Sequence, residues 1–128
     1  MDPIADMIVI IKNAGASKKE SVVLPYSKLK FAILESLAKD RFIKSVSKKG
    51  KKPIRFVEVE LAYEDGKPRI SGITRISKNS KRIYLKTSEV KKVKSGFGAL
   101  VMSTSKGIMN DKSARSLKIG GEALFKIW

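Results

Sequence analysis

The sequence predicts an α+β fold made of two small abutting domains, and three observations lead to this prediction. Two segments with helical spacing of apolar residues occupy residues 3–40, with alternating β-type segments after them. From residue 69 onward, short β-type runs are separated by tight polar or glycine-containing loops. The 128 residues, 42% of them hydrophobic, are enough to bury a core.

The first predicted element is a helix. Asp2 and Pro3 are typical of the N-cap and of the first helical position. Apolar residues then recur at helical spacing, at Ile4, Met7, Ile8 and Ile11. The segment 13–15, Asn-Ala-Gly, is expected to end the helix.

A β-type run at 22–25 closes with a proline, and a second helix is predicted after it. Ser27 is expected to cap this helix, which runs to about Asp40. Its predicted apolar face comprises Leu29, Ile33, Ser36 and Leu37, with Phe31, Leu34 and Ala38 beside it. Lys28 and Lys30 fall in the first turn, where the helix dipole disfavours cations. They are either ordinary surface lysines or partners of an RNA phosphate at the helix N-terminus.

Two β-type segments, 42–46 and 54–63, are predicted to form a hairpin. Val57, Val59, Leu61 and Tyr63 alternate with glutamates, which predicts one buried and one solvated face. The connecting loop, 48–53, carries four lysines and is either a solvated tip that protects a sheet edge or a phosphate contact. The turn-rich segment 64–68 marks the predicted boundary between a helix-strand-helix-strand-strand domain, 1–64, and a mostly β domain with short helices, 69–128.

The second half is predicted to contain strands at 70–76, 82–86, 99–103 and 122–128. A short helix is expected at 87–94, and another is expected to run to Leu117 after a cap from Asn110 and Asp111. In the strand 82–86, Arg82, Tyr84 and Lys86 share one face. Gly96-Phe97-Gly98 is expected to turn the chain into the strand that begins at 99.

The composition favours a polyanionic partner. The formal net charge is +16, and it is uneven, since residues 1–64 hold 13 Lys+Arg against 8 Asp+Glu and residues 65–128 hold 15 against 4. Nucleic acid is the first candidate partner and an anionic membrane surface is the second. The chain has no cysteine and no histidine, which excludes disulfides, Cys/His metal sites and histidine general-base catalysis.

The strongest candidate site is the run Ser103, Thr104, Ser105, Lys106 and Gly107. Its hydroxyl groups can both donate and accept hydrogen bonds, its lysine can reach a phosphate, and its glycine lets another backbone come close. These properties suit the minor groove and 2′-hydroxyls of RNA. The alternative is a polar turn that caps a helix with serine or threonine oxygens.

Two further candidates lie outside this run. Tyr84 can stack on a base between phosphate contacts from Arg82 and Lys86, or it is a half-buried aromatic with a solvated hydroxyl. Glu122 can pair with Lys118 or Lys126, accept from a base amino group, or hold the hydroxyl loop by hydrogen bonds.

An enzymatic alternative is a nucleophile pair formed by Ser103 or Ser105 with Lys106. Neighbours on a strand or loop usually point apart, no separate base is present, and the sequence has no phosphate-binding G-x-x-x-x-G-K-[ST] motif. The sequence therefore predicts a protein that is not an enzyme, with no metal, no cofactor and no small-molecule substrate.

The C-terminal motif resembles bacterial small-subunit ribosomal protein eight. The residues that carry the resemblance are Ser103-Thr104-Ser105-Lys106-Gly107-Ile108-Met109, Asp111, Ala114-Arg115, Gly120-Gly121-Glu122 and Trp128. The opening segment 2–7 and the segments 27–30, 82–84 and 96–98 follow the order of that family, so the resemblance covers the whole chain.

The resemblance implies a cytoplasmic structural protein of the small ribosomal subunit, with no membrane partner. It implies binding to the central domain of 16S rRNA, a role in assembling the platform, and a position near ribosomal proteins five and twelve. Some bacterial members also repress their own operon through an mRNA site. The implied RNA-binding residues are Ser103, Thr104, Ser105, Lys106 and Gly107, with Glu122 in support and Tyr84 on the same face; Arg82, Lys28 and Lys30 complete the predicted set.

Three positions depart from the family's pattern. Ile10 stands where an arginine is frequent, which weakens any RNA contact at that turn, and Asn79-Ser80 replace Pro-Gly, which predicts a different loop shape. Lys126 replaces a frequent aromatic residue. None of these lies in the run Ser103–Gly107, here called the hydroxyl motif. The functional alternative is an accessory RNA-binding or polyanion-binding factor that acts off the ribosome.

Overall fold

The computed structural model describes residues 2–51 and 55–128, which fall into two compact units. The first unit is Pro3–Ile70, and the second comprises Asp2 and Ser71–Trp128. Each unit combines helical segments with antiparallel sheet, which confirms the predicted α+β class. The assignment of 1–64 and 69–128 as separate domains stays a prediction. Of the helices in the described ranges, none is long and apolar enough to cross a membrane.

The first unit is a three-stranded antiparallel sheet with two helices. Its elements are α1 (Pro3–Ala16), β1 (Ser21–Pro25), α2 (Lys28–Lys39), β2 (Ile43–Lys49) and β3 (Phe56–Leu61), and the strand order is β1-β3-β2. A short hairpin of β4 (Tyr63–Glu64) and β5 (Lys67–Pro68) follows. The predicted end of the first helix at 13–15 is wrong, because Lys18 is the residue that takes the left-handed conformation, with φ 56°, and ends the helix.

Helix α2 begins where it was predicted, since the amide of Lys30 donates to the side chain of Ser27 at 3.1 Å. Its buried residues are Ile33, Leu34 and Leu37. The placement of Leu29 on this face is wrong, because 46% of Leu29 is exposed. The buried stripe is centred on Ile33, Leu34 and Leu37, and Leu29 lies at its margin.

Strand β2 runs further than predicted, so Lys48 and Lys49 belong to the strand and not to the loop. The Lys48 ammonium lies 4.9 Å from the centre of the Phe31 ring, and the Lys49 ammonium lies 3.8 Å from Glu58. The predicted alternation is confirmed for Val57, Val59 and Leu61, which are buried. It is wrong for Tyr63, which is partly exposed and lies in the next strand, β4. Residues 52–54, which are the end of the predicted loop and the start of the predicted strand, lie outside the described residues.

The second unit is a five-stranded antiparallel sheet with one helix. Its elements are β6 (Ile73–Arg75), β7 (Tyr84–Leu85), β8 (Ala99–Thr104), β9 (Gly107–Asn110), α3 (Asp111–Leu117) and β10 (Gly121–Ile127). Strand β10 is central and pairs with β6 and β7 on one side and with β8 on the other, while β9 pairs with β8. The predicted strands at 99–103 and 122–128 and the cap at Asn110 are confirmed.

In this unit two strands are shorter than predicted, one predicted helix is wrong and one strand was missed. Strands were predicted over 70–76 and 82–86, but only Ile73–Arg75 and Tyr84–Leu85 form strands. The predicted helix at 87–94 consists of separate 3₁₀ turns at Thr87–Glu89 and Lys94–Gly96. Strand β9 was not predicted. The lengths of the short strands and the formation of β9 depend on strand partners that are distant in sequence.

One face of the second sheet is covered by an apolar cluster of Val90, Val93, Leu100, Met102, Ala114 and Ala123. Ser103 and Glu122 are the strand neighbours of Met102 and Ala123, so they face the opposite side. The register between β10 and β8 shifts between Ala123 and Phe125, which makes Leu124 an extra residue. As a result, the fully buried Phe125 lies on the same face as Glu122.

Candidate nucleic-acid interface

Glu122 is the centre of a row of directly paired residues across four strands. Tyr84 of β7 pairs with it on one side and Ser103 of β8 on the other, and Ser103 pairs in turn with Ile108 of β9. Directly paired residues share a face, so these four residues, here called the Glu122 row, form one strip of surface. Tyr84 is 67% exposed, whereas Glu122 is only 9% exposed. Three predicted site residues are therefore brought together.

The hydroxyl motif forms the hairpin between β8 and β9. Thr104 pairs with Gly107, and Ser105 and Lys106 form the two-residue turn between them. The Thr104 hydroxyl donates to the Gly107 carbonyl at 2.8 Å and accepts from the Lys106 amide at 3.2 Å. Gly107 has φ 107°, a conformation that a residue with a Cβ rarely adopts. Thr104 and Gly107 therefore fix the turn itself.

The alternative that the serine and threonine oxygens of this motif cap a helix is wrong. The cap of α3 is Asn110, whose side-chain oxygen accepts from the Ser113 amide at 2.8 Å. Within residues 2–51 and 55–128, the hydroxyls of Ser103 and Ser105 have no hydrogen-bond partner. Ser105 and Lys106 are exposed, so a hydroxyl and an ammonium at the turn are available to a ligand.

Glu122 pairs with Arg82, and its predicted pairing with Lys118 or Lys126 is wrong. Nη1 of Arg82 lies 3.3 Å and 3.4 Å from the two carboxylate oxygens. Arg82 precedes Tyr84 by two residues and so reaches the same face, whereas Lys126 follows the irregularity at Leu124. The carboxylate is not hydrogen-bonded to the hydroxyl loop in the described part of the chain. Only Nη1 engages it there, which leaves Nε and Nη2 of Arg82 as further donors.

The segment that carries Arg82 and Tyr84 is held by Ser77, which the sequence analysis did not single out. Ser77 is fully buried, and its hydroxyl accepts from the Ile83 amide at 2.9 Å and donates to the Ile83 carbonyl at 3.3 Å. The main chain of Ala123 bonds to both residues, accepting from the Ser77 amide at 3.1 Å and donating to the Ile83 carbonyl at 2.9 Å. In the sequence, Ser77 looks like the first residue of a polar loop, so no local signal marks it.

Asp111 fixes the other end of the hairpin. One of its carboxylate oxygens accepts from the Leu100 amide at 2.9 Å, and the other accepts from Arg115 at 2.6 Å. Asp111 is 4% exposed, so both contacts are sheltered from water. The spacing of Asp111 and Arg115, four residues apart on a helix, is the signal that could have revealed this pair.

Two adjacent glycines bring β10 close to its neighbours at the row. A Cβ placed on Gly121 would overlap the Ser103 carbonyl oxygen, and one placed on Gly120 would overlap the Leu85 carbonyl oxygen. The glycine pair therefore has a packing role next to the candidate site.

The two remaining predicted site residues, Lys28 and Lys30, belong to the first unit and not to the Glu122 row. Lys28 is exposed and Lys30 is partly exposed. The Lys30 amide already donates to Ser27, so a phosphate at this helix N-terminus would have to use other donors. A phosphate contact there stays a prediction.

The whole length of the described chain matches a known family. Residues 2–128 match the family described as ribosomal protein S8. The chain belongs to the ribosomal protein S8 family. The resemblance predicted from the hydroxyl motif is therefore confirmed. Members of this family are structural ribosomal proteins, which also confirms the prediction that the chain is not an enzyme.

Relatives within the ribosomal protein S8 family cover the chain almost completely. Small ribosomal subunit protein uS8 of Kosmotoga olearia is 49% identical over 133 residues, which cover 99% of this chain and 98% of that protein. The protein of the same name from Mycoplasmopsis synoviae is 44% identical over 128 residues, with 99% and 97% covered. That of Dictyoglomus thermophilum is 42% identical over 127 residues, with 99% and 97% covered.

Proposed function

We propose that the chain is a structural constituent of the small ribosomal subunit and binds the central domain of 16S rRNA directly. The interface is the Glu122 row together with the hairpin Ser103–Gly107. The single observation that carries the proposal is the pairing of Glu122 with both Tyr84 and Ser103, which gathers the predicted contacts on one face. At a strand spacing of about 4.8 Å, the row spans about 14 Å across the sheet.

Each part of this surface has a matching group on RNA. The free hydroxyls of Ser103 and Ser105 can donate to or accept from 2′-hydroxyls and base edges in the shallow minor groove. Lys106 can reach a phosphate from the turn, and the exposed ring of Tyr84 can stack on an accessible base. These groups read shape and hydrogen-bonding pattern together, so the interface favours a particular helix over bulk RNA.

Glu122 acts on this surface mainly through Arg82. The carboxylate holds one nitrogen of the guanidinium group and leaves the others to donate to a phosphate. Without Glu122, Arg82 would sample more rotamers, and the phosphate contact would cost more entropy on binding. Acceptance from a base amino group by the same carboxylate would compete with this role.

The resemblance supports finer assignments. They comprise a role in assembling the platform of the subunit, a position near ribosomal proteins five and twelve, a cytoplasmic location, and repression of the chain's own operon. An mRNA helix of the same shape would use the same row, because the row contacts backbone and groove atoms that both RNAs present. Lys28 and Lys30 would add phosphate contacts from the first unit.

Co-sedimentation tests the ribosomal part of this proposal. The chain should remain with small ribosomal subunits through a high-salt wash, because specific hydrogen bonds are less sensitive to salt than phosphate contacts. An accessory factor off the ribosome is the alternative, and loss from the subunit fraction under gentle washing would favour it. A central-domain rRNA fragment and a helix of equal length but scrambled sequence then test whether binding is direct and specific.

A further inference from the structure

Phe97 is the most exposed large apolar residue in the described ranges, at 82%. A phenyl ring in water forgoes the favourable free energy that burial of its apolar surface would give. The Glu122 row does not include this residue, and the family resemblance assigned no contact to it.

The exposure of Phe97 does not come from a loose loop. Val93, four residues earlier, is buried in the core of the second unit. Its carbonyl accepts from the amides of Gly96 at 2.9 Å and Gly98 at 3.1 Å. A Cβ on Gly98 would lie 2.7 Å from the Ile127 carbonyl oxygen, so the chain after Phe97 is pressed against the end of β10. The backbone is fixed on both sides of a ring that the unit leaves in solvent.

The charged residues that lie next to Phe97 in the sequence, within 90–98, are all lysines. Lys91, Lys92 and Lys94 are exposed, and residues 90–98 contain no acidic residue. The Lys94 ammonium lies 4.8 Å from the centre of the Trp128 ring, which holds that cation near the end of β10. An aromatic ring among lysines is the arrangement by which proteins bind single-stranded nucleic acid, with a base on the ring and phosphates on the cations.

We propose that Phe97 is a stacking platform for an unpaired nucleobase of RNA, with Lys91 and Lys92 contacting the adjoining phosphates. This rests on the proposed function only in taking RNA as the ligand. Strand β8 separates the two sites, since Phe97 precedes its first residue and the hairpin follows its last, about 17 Å away at 3.4 Å per residue. The row would bind a structured helix, and Phe97 would bind a nucleotide outside that helix.

The test uses the full chain and two RNA probes, a ten-nucleotide oligouridylate and a central-domain rRNA hairpin without single-stranded flanks. Phe97→Ala and Phe97→Leu should weaken binding to the oligouridylate by about 5- to 100-fold, because both lack an aromatic face. Phe97→Tyr should stay within about twofold of the unmodified chain, because it keeps that face. Leu117→Ala, which also trims an exposed apolar residue of this unit, is the matched control and should change nothing.

Several results separate this inference from the proposed function. If Phe97→Leu binds the oligouridylate as well as Phe97→Tyr does, the ring is not a stacking platform and the inference fails. It also fails if Phe97→Ala leaves both RNA affinities unchanged while weakening attachment to a ribosomal protein. If the unmodified chain does not bind the rRNA hairpin, but Phe97→Ala still weakens binding to the oligouridylate, that result would count against the Glu122 row and leave the inference standing. Lys92→Ala should lower the salt slope for the oligouridylate by about one, and an unchanged slope would remove Lys92 from the site.

Discussion

The buried hydroxyl of Ser77 accepts a hydrogen bond from the Ile83 amide and donates one to the Ile83 carbonyl, at 2.9 Å and 3.3 Å. One side chain thus contacts both main-chain polar groups of the residue between Arg82 and Tyr84, whose carbonyl also accepts from the Ala123 amide. The segment that carries two candidate RNA contacts therefore depends on a residue that no RNA would touch. This makes its geometry testable without any ligand.

Ser77→Ala should lower the free energy of unfolding by about 1–3 kcal/mol, because the Ile83 amide loses the fully buried hydroxyl that accepts its hydrogen bond. The Ile83 carbonyl keeps a partner in the Ala123 amide, so the loss is limited to one group. Urea denaturation measures the change. Ser80→Ala, in the exposed part of the same loop, is the control and should stay within about 0.5 kcal/mol. Equal effects of the two substitutions would contradict the role assigned to Ser77.

The two hydroxyls at the hairpin turn should separate binding from folding. Ser105→Ala should leave stability unchanged and weaken binding to the cognate rRNA helix by about 1–3 kcal/mol, because its hydroxyl has no partner within the described chain. Thr104→Val should lower stability by about 0.5–1.5 kcal/mol as well, because its hydroxyl closes the turn. Filter binding and urea denaturation together measure both quantities. Affinity for unrelated RNA should barely change, and an equal loss on both RNAs would argue against a specific site.

Two glycines should respond oppositely to the same added methyl group. Gly121→Ala should destabilise the chain by about 1–3 kcal/mol and weaken rRNA binding, because the new Cβ would push β10 away from Ser103. Gly15→Ala, inside α1, places its Cβ 3.4 Å from the Pro68 side chain and should stabilise the chain by about 0.5–1 kcal/mol. Thermal unfolding compares the two. A neutral Gly121→Ala would show that the close approach of these strands is not required.

Substitutions of the lysines between β2 and β3 should change the salt dependence of RNA binding by different amounts. Lys51→Ala should lower the salt slope of RNA binding by about one if Lys51 contacts a phosphate. Lys49→Ala should change the slope less, because Lys49 already lies 3.8 Å from Glu58. Binding measured across a salt series checks both. No change for Lys51 would support the interpretation of this tip as a solvated edge.

The sequence was sufficient where a local rule decides the structure. The prediction that Ser27 caps a helix requires only the three residues that follow it. The buried face of β3 follows from the alternation at Val57, Val59 and Leu61. The same alternation places Arg82 and Tyr84 on one face, but it did not decide the exposure of Tyr84, and the alternative of a half-buried ring is wrong because Tyr84 is 67% exposed. The fold class rests on patterns of this kind, and it was predicted correctly.

Contacts between distant parts of the sequence account for what was missed. Arg82 and Glu122 are 40 residues apart, and only the pairing of β7 with β10 places them together. Strand β9 has a sequence that is typical of a loop, and it forms because β8 offers an open edge. Ser77 and Asp111 were missed as supports for the site because burial, which depends on the whole fold, gives them their role.

Leu124 is the extra residue of a β-bulge, because β8 has no partner for it. The bulge decides to which side of the sheet the later residues of β10 point. On a regular strand, residues three apart point to opposite sides, yet Glu122 and Phe125 point to the same side because of the extra residue. A substitution at Leu124 keeps both residues on that side, and so would deletion of Leu124, because Glu122 and Phe125 would then be two apart on a regular strand. The extra residue thus lengthens β10 between its charged and its buried part without turning either part over, so this segment should tolerate the loss of Leu124 better than a regular strand tolerates the loss of one residue.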